Sequence, residues 1–335
     1  MKIIINLCRI FLLYNPREWE YDNQYFVKRG IDIMNKKITN IAVDLGNLTT
    51  IAMSDENLFI SESRIKEFEV GIDDFNINEK FEFEGKKYIS QEGRFENDLL
   101  KYNKENYLPL LYYAISKSTE SNLINLVTAI PASQYKKKEE MKNFIEKNNK
   151  KTLVIGGKQR TITINKIEIL PESYSIKTIK SLMNKINKNT DTVVVDIGGG
   201  TSDISNFDNN MNLKNANSIN MGLINIYQNT REYLNIQYDL NMSLEEAKRI
   251  FDGEQQLLNG NFDYKPEIIK RFIRALVNEI RGLYPNLKNS NIILVGGGAN
   301  ILYPTFLKLY PQTIVNEDVK LQCQGLYNIA EKLFK

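Results

Sequence analysis

Asp196-Ile197-Gly198-Gly199-Gly200-Thr201-Ser202-Asp203 follows directly on the apolar run Val193-Val194-Val195. A buried strand that breaks into glycines after an aspartate can turn backbone N–H groups inward, and with no Cβ in the way those donors approach a phosphate closely. The same plan stands far upstream, where Asp44-Leu45-Gly46-Asn47-Leu48-Thr49-Thr50 follows Ile41-Ala42-Val43. A third glycine group, Gly296-Gly297-Gly298-Ala299-Asn300, follows Ile292-Ile293-Leu294-Val295. One Asp-x-Gly is ordinarily just a turn. Two of them facing each other would hold a polyphosphate between them, with the aspartates holding Mg²⁺ through water.

Working outward, Ile38–Asp44 reads as a strand and Thr49–Met53 as its hairpin partner. Phe81–Ile89 alternates around Glu84-Gly85 and reads as a second hairpin. Leu99–Ser116 has helical spacing of Leu and Tyr. Leu123–Ile130 is a buried strand ending at Pro131, and Ser133–Asn148 a helix with a lysine-rich outer face. Leu153–Ile155 and Thr161–Ile164 form a hairpin, Ile167–Leu170 is a strand running into Pro171-Glu172-Ser173, and Tyr174–Lys185 a helix. The second half repeats the plan. Strands at Asp191–Asp196, Ser202–Phe207 and Leu213–Asn217 precede a helix at Met221–Leu234. Ser243–Phe251 is a helix with Ser243 as N-cap and Glu246 at the capping-box position. Pro266–Tyr284 is a long amphipathic helix with proline just inside its start. Ile292–Val295 is a strand, followed by helices around Tyr303–Tyr310 and at Gly325–Phe334.

The chain has 335 residues, 42% hydrophobic and 25% charged, which suits about two globular domains. A net charge of +3 argues against a protein that coats nucleic acid. Histidine is absent, so Ser-His-Asp and Cys-His catalysis and histidine metal sites are excluded. The two cysteines, Cys8 and Cys323, give no metal-ligand spacing and no disulfide framework. A reducing cytoplasm is the simplest setting.

The first 33 residues differ from the rest. Met1–Tyr14 is apolar but broken by Asn6 and Arg9, short of the roughly 20 apolar residues of a membrane helix. Lys28-Arg29-Gly30 implies purine-rich codons shortly before Met34, a spacing that resembles a ribosome-binding site ahead of a start codon. The expectation is that translation begins at Met34, and that residues 1–37 are an extension before the first domain.

Two Asp-x-Gly hairpin loops and a late Gly-Gly-Gly-Ala resemble the phosphate-1, phosphate-2 and adenosine motifs of the actin-like ATPase superfamily, which also holds sugar kinases and DnaK-type chaperones. Thr128-Ala129-Ile130-Pro131-Ala132-Ser133-Gln134-Tyr135, Leu170-Pro171-Glu172-Ser173 and the ending Val319–Lys335 resemble the ParM-type plasmid-segregation actins. The resemblance covers residues 38–335. It implies an α/β fold of two related domains around a nucleotide cleft, 38–171 plus 315–335 forming one and 172–314 the other.

It also implies roles. Asp44 and Asp196 would organise Mg²⁺ and its waters. Gly46, Asn47, Leu48 and Thr49, with Gly198, Gly199, Gly200 and Thr201, would bind phosphate oxygens. Glu172 would orient the attacking water, where positioning outweighs basicity. Gly296, Gly297, Gly298 and Ala299 would pass near adenine and ribose, and Lys248 would reach the nucleoside. Some relatives carry a lysine near the end of the first loop; Thr49-Thr50-Ile51 stands there instead, which leaves the choice of ATP over GTP open. The function implied is a cytoplasmic filament ATPase that assembles with ATP and Mg²⁺ and moves plasmid DNA. It would touch centromere DNA only through a ParR-type adaptor and would bind no membrane. A small-molecule kinase of the sugar-kinase branch and a cell-shape or divisome actin are the competing classes. Plainer readings stand beside these roles. Glu172 would cap a helix, Asp203 would be structural, Lys136-Lys137-Lys138 a solvated face, and the tyrosines of Tyr107–Tyr113 core.

Overall fold

In the computed structural model the hairpin unit recurs with one geometry. β1 (Thr39–Leu45) pairs antiparallel with β2 (Thr49–Met53), and β10 (Thr192–Ile197) pairs antiparallel with β11 (Ser202–Phe207). The last pairs are Leu45 with Thr50 and Ile197 with Ser202. Each intervening loop is closed by one bond, from the Gly46 N–H to the Thr49 carbonyl at 3.0 Å and from the Gly198 N–H to the Thr201 carbonyl at 2.9 Å. The structure describes residues 38–96, 100–258 and 262–335. The expected extension over 1–37, the start at Met34 and the first residue of the helix expected from Leu99 lie outside or at the edge of them.

The duplication extends to whole sheets. β7 (Leu123–Ile130) lies parallel to β1, and β9 (Lys158–Pro171) parallel to β7. With β3 (Leu58–Glu62) outside β2, five neighbours run β3-β2-β1-β7-β9. The second sheet runs β12-β11-β10-β13-β14 in the same sense, with β12 at Leu213–Ile219, β13 at Asn291–Val295 and β14 at Thr313–Val315. The first sheet continues beyond β9 through β8 (Lys150–Ile155), β5 (Lys80–Phe83), β6 (Lys86–Ser90) and β4 (Ile65–Glu67). The central strands β1, β7, β10 and β13 are buried almost throughout, so they read as continuous apolar runs rather than as alternation.

Helices cover these sheets. α1 (Tyr107–Ser118) and α2 (Lys138–Lys147) pack on the first sheet. The tyrosines of α1 are core, as their spacing suggested: Tyr107, Tyr112 and Tyr113 are buried, and Tyr113 stacks on Phe81 at 4.4 Å between ring centroids. α3 (Lys180–Met183) is short, while α4 (Leu223–Tyr238), α5 (Leu244–Asp252), α6 (Lys265–Leu283) and α7 (Ala299–Leu309) surround the second sheet. The cap of α5 forms as expected, Ser243 Oγ accepting from the Glu246 N–H at 3.2 Å while the Glu246 carboxylate accepts from the Ser243 N–H at 2.8 Å. α8 (Leu321–Leu333) returns to the first sheet, where Cys323, Leu326 and Ala330 pack on Ala42, Ile51, Val127 and Ala129.

Six expected elements differ. The helix expected over Leu99–Ser116 begins only at Tyr107, after a 3-10 turn at Lys101–Asn103. Pro109 has no N–H, so it sits in a first turn, where none is required, and not deep inside a longer helix. The two strands expected at Thr161–Ile164 and Ile167–Leu170 are one 14-residue strand, β9. The helix expected over Tyr174–Lys185 breaks into a 3-10 turn and α3, because Ser173 is left-handed (φ 64°) and Ile179 extended. The first turn of the Ser133 helix tightens to 3-10. The last helix starts at Leu321, with Gly325 inside it; a Cβ at Gly325 would meet the Ser175 carbonyl at 2.6 Å.

Cys323 is fully buried, its thiol directed at the carbonyls of Ala42 and Ile51 at 3.5 and 3.4 Å. Burial pushes its pKa well above the usual thiol value. A chain beginning at Met34 is therefore expected to show no fast-reacting thiol to a disulfide reagent until it is denatured, then one. Rapid native reaction would overturn the docking of α8.

Candidate active site

The two hairpin loops meet. A Cβ on Gly199 would stand 2.6 Å from Leu48 Cγ and 3.0 Å from its backbone nitrogen, so only glycine lets the loops touch. The carbonyls of Gly198 and Gly199 accept the N–H groups of Leu223 and Ile224 at 3.0 and 2.8 Å. The start of α4 thus satisfies the oxygens of the glycine loop, and its residues Leu223, Ile224 and Asn225 themselves border the two cavities. Gly222 is needed for this, since its Cβ would lie 2.4 Å from the Gly199 carbonyl.

Between the loops runs a cleft lined by Asp44, Gly46, Asn47, Glu172, Asp196, Gly198, Gly199, Gly200 and Thr201. An adjoining cavity shares Asp44 and Asp196 and adds Leu48, Thr49, Gly296 and Gly297. Gly296 has φ +88°, and a Cβ there would lie 2.3 Å from Asp196 Oδ1, so the third glycine run is shaped against the second aspartate. Most residues singled out in the sequence therefore stand around one space, brought from both sheets.

Three do not line it. Gly298 is a packing position, its absent Cβ leaving room for Ile197 Cγ2 at 2.4 Å. Ala299 is buried in the core of the second sheet. Lys248 lies outside both cavities, its Nζ held by Asp252 at 3.1 Å and Glu254 at 4.0 Å. Asp252 lies at i+4 from Lys248 on α5, the spacing at which helix side chains meet, and that pair was the signal in the sequence.

The sequence reading missed Lys101. Its side chain is 5% exposed, and its Nζ stands 2.7 Å from Glu172 Oε1 and 3.8 Å from Asp44 Oδ1. A basic group thus enters from the turn before α1, where the first loop itself carries none. Lys104 reaches the first loop from the same turn, donating to the Asn47 side-chain oxygen. Burial opposes the charge of Lys101, but Glu172 and Asp44 more than offset this and keep it protonated. Burial also raises Glu172, and Lys101 outweighs it, so the carboxyl sits below its ordinary value.

The aspartates are pushed the other way. Burial, reinforced by Glu172 and resisted by Lys101, raises Asp44 to about 6. Burial, then Asp44 and Glu172, raises Asp196 to about 8. Buried carboxylates that repel one another call for a cation. Among the described residues no group of three or more acidic, histidine or cysteine side chains is placed to ligate a metal directly. A divalent ion held through water, with phosphate oxygens completing its shell, fits this donor set.

Residues 42–174 match the family model for the N-terminal domain of actin-like proteins. No curated protein matches the chain. A 15-stranded ParM filament from Clostridium botulinum superposes with TM-score 0.76 at 17% identity, over 89% of this chain and 100% of that one. The chain has the actin-like fold. An archaeal actin homologue, Ta0583, solved in complex with ADP, superposes with TM-score 0.74 at 15% identity over 88% of this chain and all of that one. The Alp12 filament superposes with TM-score 0.63 at 22% identity over 89% and 99%. The actin-like fold accounts for the paired sheets and the repeated loops. Among the described residues no helix is long and apolar enough to cross a membrane.

Proposed function

We propose that this chain is a filament-forming ATPase that assembles with ATP and Mg²⁺ and segregates plasmid DNA through a DNA-binding adaptor of ParR type. The observation that carries the reading is the pair of hairpin loops, closed by the same backbone bond, that meet around Asp44, Asp196 and Glu172. In this reading residues 38–171 with 315–335 form one domain and 172–314 the other. Mg²⁺ held through water by Asp44 and Asp196 would neutralise charge on the phosphates. The N–H groups of Gly46 and Gly198 close their own turns, so in this reading Asn47 and Gly199 would supply the backbone donors to the phosphate chain, and Gly296 and Gly297 would border the nucleoside side. Glu172, kept ionised by Lys101, orients water for attack. The ParM and Alp12 neighbours are filaments, which supports self-association, and a net charge of +3 suits a protein that meets DNA through an adaptor and works in the cytoplasm.

A surface for assembly is also present. Val70, Ile72, Phe75 and Ile77 are 85%, 69%, 93% and 98% exposed. They stand on a turn pinned by Asp73, whose carboxylate accepts the Glu69 N–H at 3.0 Å and pairs with Lys66 at 3.0 Å. Four large apolar groups held outward on an anchored turn favour burial against another subunit. A head-to-tail contact that does not close on itself yields a filament. Phe75→Asp combined with Ile77→Asp is expected to raise the critical concentration at least about tenfold, equivalent to about 1.4 kcal/mol per contact. Nucleotide affinity should stay within about twofold. Assembly at the wild-type concentration would remove this turn from the interface.

The test of the function is light scattering and phosphate release followed together after ATP and Mg²⁺ are added. A cooperative rise with a critical concentration, then phosphate release, is expected. Turnover that appears only with a small hydroxylated acceptor, and no scattering, would move the chain to the kinase branch.

A further inference from the structure

Asp203 was read from sequence as structural, and it is 2% exposed. Its surroundings give it a more particular place. It belongs to β11 of the second sheet, yet its Oδ1 accepts the backbone N–H of Ala132, at the end of β7 in the first sheet, at 3.1 Å. Oδ1 also accepts from Ser218 Oγ, and Oδ2 from Thr201 Oγ1 at 2.8 Å. Ser218 lies opposite Asp203 in the β11–β12 register and itself accepts the Ser133 N–H at 3.2 Å. Two consecutive N–H groups of the first half thus end on two side chains of the second.

The segment held in this way also holds Glu172. The Ile130 carbonyl, two residues before Ala132, accepts the Glu172 N–H at 2.9 Å. On the other side, Ser173 Oγ meets Ser205 Oγ at 2.5 Å. Ser205 and Asp203 share a face of β11, because strand side chains alternate with a period of two. Glu172 is therefore fixed between one strand end of the first sheet and one strand face of the second. Separating the halves breaks Asp203 from Ala132 and loosens both supports together.

We propose that Asp203 is a positioning residue that makes alignment of Glu172 conditional on closure of the cleft. It acts as a latch between the halves through the Ala132 backbone, and its carboxyl, which lines the cleft, also hydrogen-bonds the Glu172 side chain that the latch aligns. The proposal rests on the ATPase reading for its kinetic consequence but not for its structural one.

Asp203→Ala removes the latch. Asp203→Asn keeps an oxygen for the Ala132 N–H and places an amide where Thr201 Oγ can accept. The expected result is a fall in kcat of at least about tenfold for Asp203→Ala with KM for ATP within about threefold, and recovery to within about threefold of wild type for Asp203→Asn. A merely structural role would lower both parameters or neither, and would not distinguish the two variants in this way. Small-angle scattering on monomeric protein supplies a reading that needs no turnover. Asp203→Ala should be the more open particle and Asp203→Asn should match wild type. If Asp203→Ala is as closed as wild type, or if Asp203→Asn loses kcat as fully as Asp203→Ala, the latch is overturned. A wild type without turnover, whose Asp203→Ala variant still opens, would overturn the ATPase reading and leave the latch standing.

Discussion

Glu172→Ala is expected to bind ATP and assemble as wild type does while releasing phosphate on the order of 100- to 1000-fold more slowly, the range associated with loss of a positioned proton acceptor. The carboxylate faces the cleft from the end of β9 and is held on Lys101 at 2.7 Å. Its pKa lies below the ordinary value, so it is ionised and available to water throughout the neutral range. It makes no bond to either glycine loop, and its removal should spare the binding of phosphates. Stopped-flow phosphate release alongside light scattering checks both halves of the statement. Release at the wild-type rate would take Glu172 out of the reaction.

Lys101→Met should have a comparably large effect by a different route. Lys101 neutralises Glu172 and Asp44 at once from a position 5% exposed. Deleting one partner of a buried ion pair leaves the other charge uncompensated and costs on the order of 3 kcal/mol. Asp44 and Glu172 would then take up protons near neutral pH and lose the charges that their roles require. Turnover is expected to fall at least about 100-fold, and ATP affinity with it, which separates this variant from Glu172→Ala. Calorimetric titration with a slowly hydrolysed ATP analogue reads the affinity. Affinity equal to that of wild type would show that Lys101 does not shape the phosphate site.

The parts legible in the sequence were those with local causes. An apolar run ending in Asp-x-Gly fixes a strand, its turn and its hairpin partner locally, and so both loops were found to within one residue, the strands Ile38–Asp44 and Asp191–Asp196 running instead over Thr39–Leu45 and Thr192–Ile197. Ser243 and Glu246 announced the cap of α5 for the same reason. What could not be read depends on distant chain. Lys101 precedes Glu172 by a whole sheet's worth of strands, and nothing near it marks it as buried. Asp203 looked structural because its partner, the Ala132 N–H, belongs to the other half. Lys248 was read as reaching a ligand although Asp252 stands at i+4 on the same helix, the spacing at which helix side chains pair. Pro109 was another overlooked local signal: its place in a first turn sets the start of α1.

Among the described residues the chain passes between the sheets at two places, after β9 and after β14, and these crossings lie against each other. Ser175 Oγ donates to the Gln322 carbonyl at 3.0 Å, and Thr178 Oγ to the Gly325 carbonyl at 3.3 Å. Two adjacent strands of chain act as a pin: they allow rotation about one axis and resist sliding. The glycine loops border the cleft that Gln322 also lines, whereas the apolar turn at Val70–Ile77 joins β4, the edge strand of the larger sheet, to β5, two strands further in. In the proposed reading, a small rotation at the glycines would become a larger sweep at Phe75, and the molecule would work as a lever with its short arm on the nucleotide and its long arm on the neighbouring subunit.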